Sequence, residues 1–200
     1  MVRTHHGFAS FWPYPAVMRV PRTFCFADLT GFTNYTAEHG DDVAATLLSA
    51  FRAVARDVAS ARGVRVAKWL GDGLMVVAVE QADAVAFALD LEREASECCS
   101  PLTLRIGVAS GYALLFEGDD YIGSAVNLAS RLCDAAGPSE VLLPADQLHD
   151  LPPGAVATPV GSVSLPGFPD ALQVVELSGE PAPASNFDTG ELWTRTPFAV

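Results

Sequence analysis

The residues best suited to chemistry are two acids that close short apolar runs. Asp28 ends the run in FADLTGFT, and Asp72 sits in the turn of KWLGDG. If those runs are neighbouring strands, both carboxylates reach the same end of one sheet. Hard Mg²⁺ or Mn²⁺ ions want such carboxylates, together with phosphate oxygens. Of two such ions, one can activate an attacking hydroxyl while the other neutralises phosphates and a leaving group. Gly31, Phe32 and Thr33 supply a small residue and successive backbone N–H groups beside Asp28, suitable for holding phosphate oxygens. Taken singly, either aspartate reads more readily as an ordinary turn residue. Their joint occurrence with a lysine four positions before the second acid favours the functional reading.

That lysine is Lys68, inside the run VRVAKWL. A lysine in a buried strand wants an acceptor, whereas on an edge strand its head reaches water. Asn127 and Arg131 are spaced i,i+4 in DYIGSAVNLASRL and share one helix face between apolar flanks. Asn can orient a sugar, and the guanidinium fork can neutralise charge developing at phosphorus. An exposed arginine with an asparagine one turn before it is the plainer reading of that segment alone. Asp120, before the helix, can accept a hydrogen bond from an exocyclic amine or be a loop acid beside Asp119. Arg105, in TLRIGVAS, can reach the phosphate end of the sheet or pair with a helix acid, and ranks below Arg131. Glu117 and Ser124 have no sharp role.

The elements that must position these groups follow from hydrophobic periodicity. Arg22 to Leu29 reads as a strand, followed by a turn at Gly31. A helix is expected from Asp41 to Ala61, with Val43, Leu47, Phe51, Val54 and Val58 near a 3.6-residue period and two acids at its start. VRVAKWL and LMVVAV flank Gly71-Asp72-Gly73 as a hairpin. A second helix is expected from Gln81 to Glu94, then a strand from Thr103 to Ser110. This β-α-β-β-α-β order is the ferredoxin-like split arrangement with both helices on one face, an α+β fold. A further strand over Tyr112 to Phe116, a third helix from Ser124 to Ala136 and small strands at VLL, VSL and LQVVEL complete the domain.

Length and composition bound the rest. Half of the 200 residues are apolar, enough for one substantial core. The division expected is a leader over 1–21, a catalytic domain over 22–177 and a flexible tail over 178–200, in which Trp193 and Phe198 stand isolated. With 24 acidic against 12 basic residues the net charge is −12, which excludes counterion-driven binding to nucleic acid and disfavours an anionic membrane. Cys25, Cys98, Cys99 and Cys133 form no CxxC or disulfide framework, so thiols of a reducing compartment are expected. His5 and His6 read as part of a disordered leader. The aromatic stretch over 7–20 is broken by Pro13 and Pro15 and fits neither a signal peptide nor a membrane span. A cytoplasmic location is expected.

In combination, FADLTGFT, KWLGDG and DYIGSAVNLASRL resemble three successive motifs of the class III adenylyl/guanylyl cyclase catalytic domain, especially the compact homodimeric enzymes of mycobacteria and related actinobacteria. The likeness runs from about Arg22 to Leu177 and implies the class III nucleotidyl cyclase fold. It implies that Asp28 and Asp72 bind two divalent ions, Mg²⁺ or Mn²⁺. Lys68 and Asp120 would recognise adenine, where guanylyl members tend to carry residues such as Glu and Cys. Asn127 would orient the ribose and Arg131 would stabilise the α-phosphorus during conversion of ATP to cyclic AMP. A head-to-tail homodimer is also implied, with one subunit supplying Asp28 and Asp72 and the other supplying Lys68, Asp120, Asn127 and Arg131. The chain departs from the family at Ser164-Leu165-Pro166-Gly167-Phe168, where a lysine commonly reaches the triphosphate and Pro166 carries neither charge nor N–H. The stretch after Gly111 is also short. A guanylyl cyclase and a weakly active nucleotide-binding regulatory domain are the competing functions.

Overall fold

The computed structural model describes residues 18–116 and 120–183. β1, Met18–Thr30, is central, and its alternation fits that place: Cys25, Ala27 and Leu29 enter one core while Phe24 and Phe26 enter the other. A short helix α1, Phe32–His39, follows at once from Gly31, whose φ of 86° is a left-handed conformation suited to glycine. This helix replaces the turn expected there. It buries no residue, so it leaves no apolar period to read.

Helix α2, Asp41–Arg62, buries Ala44, Leu47, Phe51, Ala55 and Val58, the inward stripe of an amphipathic helix. It stops at Gly63, which is left-handed at φ 65° and donates its N–H to the last-turn carbonyls of Ala59 and Ser60. β2, Arg65–Leu70, and β3, Gly73–Ala78, form the expected hairpin around Gly71-Asp72. Helix α3, Gln81–Cys98, runs one turn beyond expectation.

β4, Thr103–Phe116, is one strand where two were expected. Gly111 does not turn the chain. It pairs with Arg22 of β1, and a Cβ there would come within 3.0 Å of the Ala125 side chain, so the glycine admits the next helix. β5, Asp120–Ile122, folds back onto the end of β4, and helix α4, Ser124–Ala135, follows. At Gly107 a side chain would collide with the Ala129 carbonyl and the Cys133 nitrogen of α4, so backbone meets backbone there.

β6, Val141–Pro144, and β8, Leu172–Gly179, match expectation, but β7 spans Ala155–Val163 rather than VSL. Residues 164–168 form a turn closed from the Phe168 N–H to the Leu165 carbonyl, with Gly167 left-handed. The β7 run was hidden because most of its residues face solvent and Pro159 and Gly161 interrupt its pattern.

The sheet order is β2-β3-β1-β4-β6-β8-β7, with β5 beside β4. Its antiparallel β2-β3-β1-β4 part, with α2 and α3 packed on one face, is the expected ferredoxin-like core, and α4 covers the opposite face. There are four helices rather than three among the described residues. Of the expected leader and tail, 18–21 lie in β1 and 178–179 in β8, and most of the remainder lies outside the described residues. No helix among the described residues is long and apolar enough to cross a membrane.

Candidate functional site

The sheet brings Asp28 and Asp72 together by register. Asp28 pairs with Gly73 on β3 and with Arg105 on β4. Gly73 must be bare, because a Cβ would stand 2.8 Å from the Ala27 carbonyl and 3.0 Å from Asp28 Oδ1. The Asp72 carbonyl accepts a long 3.4 Å hydrogen bond from the Leu29 N–H, latching the β2–β3 turn onto β1 one residue from Asp28.

Both carboxylates line a cleft of about 310 Å³ with Gly31, Phe32, Thr33 and Arg105. The start of α1 lies on that cleft, and the N–H groups of a first helical turn have no intrahelical acceptor. The two acids and the three expected phosphate-binding residues therefore share one wall.

Burial pushes the Asp72 carboxyl above its ordinary range; its own backbone hydrogen bond opposes this, Asp28's charge adds to it and Arg105 opposes it. Two carboxylates on one cleft suit a divalent cation, whose charge offsets their mutual repulsion. Among the described residues no three or more His, Cys, Asp or Glu side chains gather as a metal cage. Two carboxylates with room beside them fit Mg²⁺-type ions, which keep waters and take phosphate oxygens for their remaining positions.

Arg105 stands at the cleft, but its first partner is Asp28. Nε and Nη2 donate to Asp28 Oδ2 at 3.0 and 2.6 Å, and Nη1 donates to the Asp134 carbonyl at 3.3 Å. The arginine thus places a positive charge directly against Asp28.

Lys68 finds its acceptor in Asp120, with Nζ to Oδ1 at 2.7 Å. The same carboxylate oxygen accepts the Tyr121 N–H at 2.9 Å. Hydrogen bonding from Lys68 holds the Asp120 carboxyl below the usual range, and both side chains remain 43% exposed, open to a ligand. Next to Asp120, Tyr121 packs on the α4-side core and meets Phe24 edge-on with ring centroids 5.5 Å apart.

Asn127 and Arg131 project from the exposed side of α4. Arg131 Nη1 pairs with Asp134 Oδ2 at 2.9 Å. Neither residue lines the cleft of the two acids, nor a second cleft of about 220 Å³ on the other side of Asp28, to which α4 contributes Ser130, Cys133 and Asp134. Asp134 nonetheless links Arg131 to Arg105, and so to Asp28.

Two participants escaped sequence reasoning. Asp134 contacts both arginines, and its i,i+3 spacing from Arg131 was a readable signal. Arg52 of α2 donates to the Gly71 carbonyl at 3.0 Å, a bond to backbone that no side-chain pattern announces.

The model of the "Adenylate and Guanylate cyclase catalytic domain" family matches residues 19–178. An uncharacterised Mycobacterium tuberculosis protein is 37% identical over 156 residues, covering 78% of this chain and 41% of that protein. A Streptomyces coelicolor adenylate cyclase is 31% identical over 170 residues, 85% of this chain and 43% of the relative. The chain thus spans about two fifths of the length of these curated relatives. Among solved structures, the adenylyl cyclase CyaB from P. aeruginosa superposes with a TM-score of 0.71 at 24% identity, covering 80% of this chain and 95% of that one, a likeness of fold.

Proposed function

The chain belongs to the adenylate and guanylate cyclase catalytic-domain family, and we propose that it is an adenylyl cyclase making 3′,5′-cyclic AMP and pyrophosphate from ATP. The observation that carries the adenine reading is the open Lys68–Asp120 pair at 2.7 Å. An ammonium donor and a carboxylate acceptor side by side complement adenine's ring N1 and its 6-amino group. Guanine presents the opposite pattern at those two positions.

Asp28 and Asp72 would hold two divalent cations, Mg²⁺ or Mn²⁺, which supply Lewis-acid activation of a hydroxyl and neutralise phosphate charge. The free N–H groups at the start of α1 donate to phosphate oxygens, and the left-handed Gly31 sets the chain's entry into that helix. Arg105 exchanges its bond to Asp28 for one to the triphosphate. Asn127 orients the ribose, and Arg131 stabilises the charge that builds on the α-phosphoryl oxygens. The ribose 3′-oxygen forms a bond to the α-phosphorus, the bond from that phosphorus to the bridging oxygen breaks, pyrophosphate leaves, and the 3′-hydroxyl proton passes to solvent. No enzyme nucleophile is required, and positioning carries much of the work.

That Asn127 and Arg131 do not line the acid cleft of their own chain supports a head-to-tail homodimer with sites shared between subunits. One observation favours a second reading, a weakly active nucleotide-binding domain: Pro166 stands in the 164–168 turn with no charge for the triphosphate.

The test is incubation of the purified protein with ATP or GTP, each with Mg²⁺ or Mn²⁺, and chromatographic separation of the products. Cyclic AMP well in excess of cyclic GMP is expected. Predominant cyclic GMP would replace the base assignment, and binding without either product would favour the regulatory reading.

A further inference from the structure

We propose that Arg52 is a positioning residue for Asp72, holding the β2–β3 turn in the conformation that presents its carboxylate to the divalent ions. This rests on the metal role given to Asp72 above. Arg52 lies outside the cleft, on α2, and acts through one bond: Nη2 donates to the Gly71 carbonyl at 3.0 Å. The Gly71 carbonyl and the Asp72 N–H belong to one rigid peptide plane. Fixing that oxygen therefore fixes the plane from which the Asp72 side chain departs. At the following peptide, the Asp72 carbonyl accepts from Leu29. Asp72 is held from both sides, by α2 before it and by β1 after it.

The turn needs such a hold. Gly71 adopts a left-handed φ of 70°, and glycine is the residue with the most backbone freedom to lose. Arg52 itself is held in place by Trp69 of β2, with its guanidinium carbon 5.1 Å from the ring centroid. Its Nε is buried without a partner among the described residues.

Arg56 provides an internal control. It lies one helical turn further along and makes the same approach to Trp69, also at 5.1 Å. Its donor goes to the Arg52 carbonyl at 3.4 Å instead of to the turn. If cation–π packing on Trp69 were all that mattered, the two arginines would be equivalent. If the Gly71 bond matters, only Arg52 governs metal binding.

The experiment compares wild type with Arg52→Ala, Arg52→Lys and Arg56→Ala in the full chain. Mn²⁺ binding is read from the loss of the free-ion electron paramagnetic resonance signal in the presence of a nonhydrolysable ATP analogue, with thermal melts alongside. Turnover is measured as a function of Mn²⁺. Loss of a hydrogen bond from a charged donor should weaken Mn²⁺ binding about tenfold in Arg52→Ala. The Mn²⁺ needed for half-maximal turnover should rise in parallel, while kcat at saturating Mn²⁺ stays within about threefold. Arg52→Lys should recover part of the affinity, since an ammonium can still reach the carbonyl but lacks the flat fork. Arg56→Ala should bind Mn²⁺ as wild type does.

Unchanged Mn²⁺ affinity in folded Arg52→Ala overturns the proposal, as does an equal loss in Arg56→Ala. If the wild-type protein makes no cyclic nucleotide, the functional reading fails instead, and Mn²⁺ binding still decides the role of Arg52.

Discussion

Lys68 Nζ and Asp120 Oδ1 meet at 2.7 Å although 52 residues separate them, and the pair stays open to solvent. Each group satisfies the other in the free chain, and under the proposed adenine reading a base would exchange with that partner. Changing Lys68 to Glu and Asp120 to Cys removes the donor and acceptor that suit adenine. The double variant should lower kcat/KM for ATP relative to GTP by at least about tenfold, because sites built on hydrogen bonds lose discrimination when the groups are lost. An unchanged ratio in a folded double variant would reject the base assignment.

Asp28 and Asp72 line one cleft, so removing either charge should abolish metal-dependent turnover. Asp28→Ala and Asp72→Ala are each expected to reduce cyclic AMP formation by more than about a hundredfold. Asp28→Asn separates charge from packing, since its amide oxygen can still accept from Arg105. It should be nearly as inactive as Asp28→Ala while melting closer to wild type. Ordinary turnover in either alanine variant, with the fold checked by circular dichroism, would remove that residue from the metal site.

The β-α-β-β-α-β order could be read from the chain because α2, α3 and β1 bury periodic apolar faces, and a core records itself in sequence. Helix α1 and strand β7 escaped for the opposite reason: one has no fully buried residue, with only Phe32 and Tyr35 partly packed on the core, and the other lies largely in solvent. The acids were visible as types at strand ends, yet their meeting depends on the register of Asp28 against Gly73, and spacing alone could not supply it. The Arg105–Asp28 bond was harder still. In sequence Arg105 reads as a phosphate ligand or a partner for a helix acid, and only the pairing of β1 with β4 puts it opposite the strand acid Asp28.

The four thiols should differ sharply in reactivity. Cys25, Cys99 and Cys133 are buried, and burial raises their pKa values, with Cys99 and Cys133 pushed up to about 12. A raised thiol pKa keeps the protonated, unreactive form dominant through neutral pH. Cys98 alone is exposed. With a chromogenic disulfide reagent at pH 8, one thiol per chain should react rapidly in the native protein and all four in denaturant. Two or more fast thiols in the native state would contradict the packing of α3 and α4.

The separation of the acid cleft from Asn127 and Arg131 within one chain leads to a complementation experiment. In a head-to-tail dimer, Asp28→Ala disables the metal half of both sites, and Arg131→Ala disables the stabilising half of both. Each homodimer should be nearly inactive. In a mixed dimer one site takes its acids from the Arg131→Ala chain and its arginine from the Asp28→Ala chain, so that site is complete while the other carries both defects. Random exchange of equal amounts makes about half the dimers mixed, with one of two sites intact in each, so activity should recover to about one quarter of wild type at most. Cyclic AMP formation is measured for each variant alone and after co-expression, with dimer content followed by sedimentation. Mixed dimers that form but recover nothing would overturn the shared site, whereas substantial activity from Arg131→Ala alone would take Arg131 out of the reaction.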